Sequence, residues 1–110
     1  MQQQLEQALQ VKHLYQELNA LNHQQSWTYL QYMEGLVGDS GDLMKMLMAK
    51  ANLRSYKGNL DKDIAHELSD CLWSILMISQ ELGMNIEEEF SKNMAELKTS
   101  VQEKIDSSKI

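Results

Sequence analysis

Proline is missing altogether from this 110-residue chain, and glycine (five), cysteine (one) and phenylalanine (one) are scarce. Without proline, nothing inside a helix removes a backbone donor, so helices can run long. A single cysteine, Cys71, excludes an internal disulfide and a thiolate metal cluster. Basic residues are outnumbered, ten against sixteen acidic, for a formal net charge of -6. That balance excludes duplex nucleic acid as a partner, because phosphate binding needs clustered Lys and Arg. The most apolar run, Cys71 to Ile78, is far too short to span a bilayer, so no membrane partner is expected. The opening M-Q-Q-Q-L-E-Q lacks the basic and apolar regions of a signal peptide, and a cytoplasmic protein is the expectation.

What is present reads as helix throughout, in one domain over residues 1–110. Leu5, Leu9, Leu14, Leu18 and Leu21 fall at helical spacings from about Gln2 to Asn22. The polar run Asn22 to Gln25 breaks that helix, and Ser26 is read as the N-cap of a second, from Trp27 to about Lys50. Gly35, Gly38 and Gly41 recur every third residue within it. Each costs about 1 kcal/mol against alanine in a helix interior. The pattern predicts close approach of another backbone or a ligand, with a helix bend as the alternative. Residues 50–60 read as a loop, holding Asn52, Ser55, Gly58 and Asn59. A third helix is predicted from Asp61 to Leu82, with Ile64, Leu68, Leu72, Ile75, Leu76 and Ile78 as its apolar face and Gly83 at its C-terminal end. Asn85 followed by Glu88 reads as a capping box opening a fourth helix to about Ile105, with residues 106–110 frayed. No strand pattern interrupts the series. The fold class predicted is an all-α, four-helix bundle-like domain with long antiparallel helices.

Against this background four carboxylates stand out, in two pairs: Asp39 and Asp42 in G-L-V-G-D-S-G-D-L, then Glu67 and Asp70 in H-E-L-S-D-C-L-W. Residues three apart share one helix face. Both pairs sit among apolar residues, where unpaired negative charge is expensive unless a cation neutralises it. The midpoint between the pairs falls near Arg54, so a hairpin tip over residues 50–60 leaves about 12 Å of helix on each side and brings the pairs level. Four oxygen donors converging between two helices suit a hard divalent cation, Mg2+ above all, with Mn2+ as a substitute. Bound metal would also open an acidic protein to nucleotides.

The remaining polar residues carry weaker signals. Asp61, Asp63 and Glu87 to Glu89 lie at helix starts, where negative charge suits the dipole; Asp63 also shares a face with Glu67 and Asp70. Glu34 lies about 140° around the helix from Asp39. His13, His23 and His66 form no ligand pattern, although His66 adjoins Glu67. Cys71 reads as a small core residue with no base to activate it, and Met44, Met46, Met48 and Met77 as core or interface filling. Trp27, Tyr29, Tyr32 and Trp73 could stack on a nucleobase or fill the core, and Trp73, three residues after Asp70, is the stronger candidate pocket wall. Lys45, Lys50, Arg54 and Lys57 cluster where a polyphosphate beside a metal could be reached.

The two acidic motifs resemble the paired E-x-x-E and E-x-x-D signature of the all-α nucleoside triphosphate pyrophosphohydrolases, the MazG-like and dCTP-pyrophosphatase-like group. D-S-G-D (Asp39 to Asp42) stands where that family often shows E-x-G-E, E-L-S-D (Glu67 to Asp70) matches E-L-x-D, and E-L-G-M-N-I-E-E-E-F resembles the entry into the fourth helix. The likeness covers about residues 27–100. It implies four carboxylates acting as metal ligands and in catalysis, hydrolysis of an NTP or dNTP to monophosphate and pyrophosphate, and homodimers or dimers of dimers. It also implies Lys92 near phosphate, beside Lys50 and Arg54 of the loop cluster, with Trp27 and Trp73 as the candidate substrate-binding aromatics. Four departures stand beside it: Asp39 and Asp42 replace both glutamates of the first pair, and Glu96 and Thr99 replace the asparagine and arginine of a fourth-helix K-x-x-x-N-x-x-R. Two other readings stay open, a degenerate relative that binds nucleotide or metal without turnover, and a helical interaction module whose acidic pairs face solvent.

Overall fold

The computed structural model of the chain describes residues 1–109 and is all-α and bundle-like. Its helices are α1 (Gln2–Leu21), α2 (Tyr29–Lys50), α3 (Leu60–Glu81) and α4 (Ile86–Ser108). The predicted elements are all present, with the loop between α2 and α3 where the polar residues placed it. The fourth helix runs three residues beyond Ile105, so the predicted frayed tail is helical as far as Ser108, and Ile110 lies outside the described residues.

The helix ends explain why the boundaries fall where they do. α2 is capped by Thr28 rather than Ser26: the Thr28 hydroxyl accepts from the Leu30 N–H at 3.2 Å, and the Gln31 Oε1 accepts from the Thr28 N–H at 2.8 Å. A capping box needs a long acceptor three residues on. Gln31 supplies it for Thr28, whereas Ser26 would have only Tyr29. Asn85 accepts from Glu88 N–H at 3.2 Å, the one half of its expected box that forms. Just past α1, α2 and α3, His23, Asn52 and Gly83 turn into the left-handed region (φ 56°, 62° and 67°). Each closes its helix with a Schellman pair; after α3, Met84 N–H donates to Ser79 O at 2.9 Å and Gly83 N–H to Gln80 O at 3.1 Å.

α2 and α3 form an antiparallel hairpin, and α1 lies against the C-terminal half of α3. The core is small: Ala8, Tyr32, Leu76 and Met77 are buried together, with Leu5, Leu9, Trp27, Trp73, Ile78 and Ile86 packed around them. The predicted apolar faces are only half used. Leu14, Leu18 and Leu21 of α1 are exposed because they lie around the helix from the face, Ala8, Tyr15 and Asn19, that packs inward. Leu68, Leu72 and Ile75 of α3 are exposed as well, since the hairpin buries the side that carries Met77. α4 has no buried residue. The molecule measures 65 × 40 × 24 Å, with a radius of gyration of 18.3 Å, against about 13 Å for a compact domain of this length. Among the described residues no helix is long and apolar enough to cross a membrane.

Candidate functional site

The hairpin brings the acidic pairs level. α2 runs eight residues on from Asp42 and α3 begins seven before Glu67, so the lengths of helix separating each pair from the turn differ by a single residue. Asp39, Glu67 and Asp70 each place one carboxylate oxygen within 4.8 Å of the others. Asp42 falls outside that group. Its side chain is exposed, whereas those of Asp39, Glu67 and Asp70 are half-buried between the helices. The predicted quartet is a close trio with a fourth carboxylate at its edge.

Glu67 lies at the centre of this negative charge. Its Oε2 is sealed from solvent and has no hydrogen-bond partner. Burial pushes its carboxyl above the ordinary range; the charges of Asp39, Asp70 and Asp42 push it further, and His66 pulls the other way. No Lys or Arg among the described residues pairs with any of the four. His66 Nε2 lies 3.2 Å from Asp70 Oδ2, so the histidine does touch a site carboxylate. A raised folded-state pKa means that the folded protein binds more protons than the unfolded chain from pH 4.5 upward, so stability falls as pH rises through that window. In chelator, thermal unfolding should accordingly occur at a lower temperature at pH 7 than at pH 5. In the Glu67→Gln variant that difference should shrink; an unchanged profile would show that the strain lies elsewhere.

On one side of the trio opens a cleft of about 780 Å³ walled by Val11, Tyr15, Trp27, Tyr32 and Trp73, with Asp39, Asp70, Glu34 and Gly35 at its acidic end. The aromatic rings brace one another: Tyr32 and Trp73 meet edge to face at 5.4 Å, and Tyr15 and Trp27 lie 4.9 Å apart. Trp73 is fixed further by its Nε1–H, which donates to Ala8 O at 3.2 Å. Both tryptophans singled out in the sequence therefore line one cleft beside the carboxylates. Tyr32, also among the aromatics singled out, walls the cleft from the core side, whereas Tyr15 was missed, because nothing local indicates that α1 folds back against α3.

On the other side, at the hairpin tip, Asp42 shares a smaller hollow with Lys45, Arg54, Ser55, Tyr56 and Lys57. Tyr56 donates to Asp63, which ties the loop to α3 and holds the phenol above its ordinary pKa. Asp63 therefore braces the loop. Of the basic residues expected near phosphate, Arg54 is here, and Lys45 and Lys57 join it. Lys50 is elsewhere, ion-paired to Asp61 at 2.7 Å. Lys92 lies apart on α4, in a hollow with Phe90 and Glu96. Cys71 is half-buried rather than enclosed in the core.

The glycine repeat does not mark a close approach within this chain. A Cβ at Gly38 or Gly41 would meet nothing within 4 Å, and one at Gly35 only the Ser74 hydroxyl at 3.9 Å. Gly38→Ala should raise stability by about 1 kcal/mol in urea unfolding. A drop would show that this ledge is covered in solution. In comparisons with known proteins, no family model, curated protein or solved structure matches this chain.

Proposed function

We propose that the chain is a Mg2+-dependent nucleoside triphosphate pyrophosphohydrolase of the all-α MazG-like kind, with Mn2+ as a substitute metal. The observation that carries this reading is the trio Asp39, Glu67 and Asp70, drawn within 4.8 Å with no basic partner and one sealed, unpartnered oxygen on Glu67. An all-oxygen, highly charged donor set fits a hard divalent cation. When bound, that ion would offset the triphosphate's charge and lower the pKa of a nearby water.

The chain's own residues supply the rest. Tyr15, Trp27 and Trp73 offer aromatic surface to a nucleobase, backed by the buried Tyr32, in a cleft whose volume suits a nucleoside. Lys45, Arg54 and Lys57 lie beyond Asp42 at the opposite end, placed to pair with the terminal phosphates. A substrate laid along this line has its α-phosphorus beside the carboxylates. Water attack there forms the new phosphorus–oxygen bond, breaks the bond to the bridging oxygen, and yields monophosphate and pyrophosphate.

The test is pyrophosphate release from a panel of NTPs and dNTPs, with Mg2+ and with chelator. Metal-dependent release is expected. Nucleotide binding without release would establish the degenerate alternative, and neither would leave the interaction module.

A further inference from the structure

The two helices of the hairpin face each other in successive levels. Asp39 on α2 stands opposite Glu67 and Asp70 on α3. Four residues before Asp39 comes Gly35, and four residues after Asp70 comes Ser74. These two share the next level, since a Cβ added at Gly35 would lie 3.9 Å from the Ser74 Oγ. Beyond them Tyr32 and Trp73 meet edge to face at 5.4 Å. Four residues of helix rise about 6 Å. The cleft therefore passes from carboxylates to aromatic rings over one step, walled by a glycine and a serine. Ser74 is the odd member of that wall. It is buried, at 4% exposure, yet among the described residues its hydroxyl has no hydrogen-bond partner, whereas Ser79, the other buried serine of α3, donates to Leu76 O at 3.1 Å. A buried hydroxyl normally finds a partner, and the open side of this one is the cleft, where an occupant can supply it.

With the α-phosphorus at the carboxylates and the base at the rings, the part of a nucleotide that falls on this step is the pentose. We propose that Gly35 and Ser74 seat a ribose, which makes ribonucleoside triphosphates the preferred substrates over their 2′-deoxy counterparts; this choice of sugar rests on the pyrophosphohydrolase reading. Two features carry it. A site rejects a 2′-hydroxyl by setting a side chain against that edge of the ring. Gly35 has no side chain to set there, and Ser74 has only its small hydroxymethyl group. The second feature is the unpartnered hydroxyl itself, which can donate or accept. A ribose satisfies it, whereas a 2′-deoxyribose leaves it unpaired and is disfavoured for that reason. The 3′-hydroxyl is common to both sugars, so the difference falls on the 2′ position.

Initial rates of pyrophosphate release with Mg2+, from matched NTP and dNTP pairs, give a ratio of kcat/KM within each variant from which any loss of folded protein cancels. Wild type should favour the NTP about 10-fold, the worth of one neutral hydrogen bond. Ser74→Ala should bring the ratio close to one by lowering NTP use and leaving dNTP use unchanged. Gly35→Ala should lower it as well, since the added methyl has room to fold at 3.9 Å from the Ser74 Oγ and takes the space of the 2′-hydroxyl. Equal or better use of dNTPs by wild type, or a ratio unmoved in Ser74→Ala, overturns this inference and leaves the pyrophosphohydrolase reading standing. A penalty for 3′-deoxy in place of 2′-deoxy nucleotides seats the sugar the other way round and also overturns it. Release from no nucleotide overturns both. One measurement needs no substrate: Ser74→Ala should unfold in chelator at the same temperature as wild type or higher, and a clear drop would show that the hydroxyl already has a partner, which overturns the seat.

Discussion

Glu67→Gln is expected to reduce Mg2+-dependent pyrophosphate release by about 10³-fold, on the order of 4 kcal/mol of barrier. The substitution keeps the shape of the side chain and removes the charge at the centre of the trio. A neutral amide holds a divalent cation poorly, and its N–H2 group would donate to Asp39 or Asp70, occupying oxygens that a metal needs. The same change should stabilise the metal-free protein at neutral pH. It relieves the crowding by Asp39, Asp70 and Asp42 that raises the Glu67 pKa. The expected signature is therefore an opposed pair: a higher unfolding temperature in chelator, and no further rise in Mg2+, where the wild type should show one. Such opposition is common where strain is kept for binding. Undiminished release from this variant would remove the carboxylate site from the reaction.

Met77→Ala is expected to cost about 2–5 kcal/mol. Among the described residues Met77 is the one large side chain fully out of solvent, at 0% exposure, and it lies where α1, α2 and α3 meet through Ala8, Tyr32 and Leu76. Truncation leaves a cavity among neighbours too few to close it. Native domains hold only about 5–15 kcal/mol in total, and a core this small belongs at the low end, so the loss is a large fraction of the whole. Activity should suffer too, because α3 also carries Glu67, Asp70 and Trp73, and Trp73 packs on the same cluster. Urea unfolding at a fixed protein concentration measures the effect. A change under about 1 kcal/mol would mean that the folding energy resides mainly in contacts other than this cluster.

The contrast between Glu67 and Lys92 shows how far the amino-acid order could be read. Glu67 was found because its partners are either on the same helix or at an equal distance from one turn, so periodicity and loop length sufficed to bring it to Asp39 and Asp70. Lys92 was linked to the phosphates by resemblance alone, and α4 carries it away from the hairpin. Lys50 had the right neighbourhood but a nearer competitor in Asp61. Tyr15 gave no signal, since its place beside Trp27 and Trp73 depends on the path of a chain segment some fifty residues distant from Trp73.

Helical content, the hairpin and the level placement of two acidic pairs all follow from local rules: no proline, apolar recurrence at helical spacing, and a polar turn midway between the motifs. Those effects act over a few residues and survive whatever the rest of the chain does. Which apolar stripes would be buried could not be read in this way, because Leu5 and Leu14, or Met77 and Leu72, look alike in hydrophobicity. Packing distinguished them: α1 covers α3 over half its length, and α4 stands clear. It also left Asp42 exposed at the rim rather than in the trio, although its spacing from Asp39 is the same as that of Asp70 from Glu67. Burial is a property of what lies opposite a residue, and what lies opposite is set by long-range contacts.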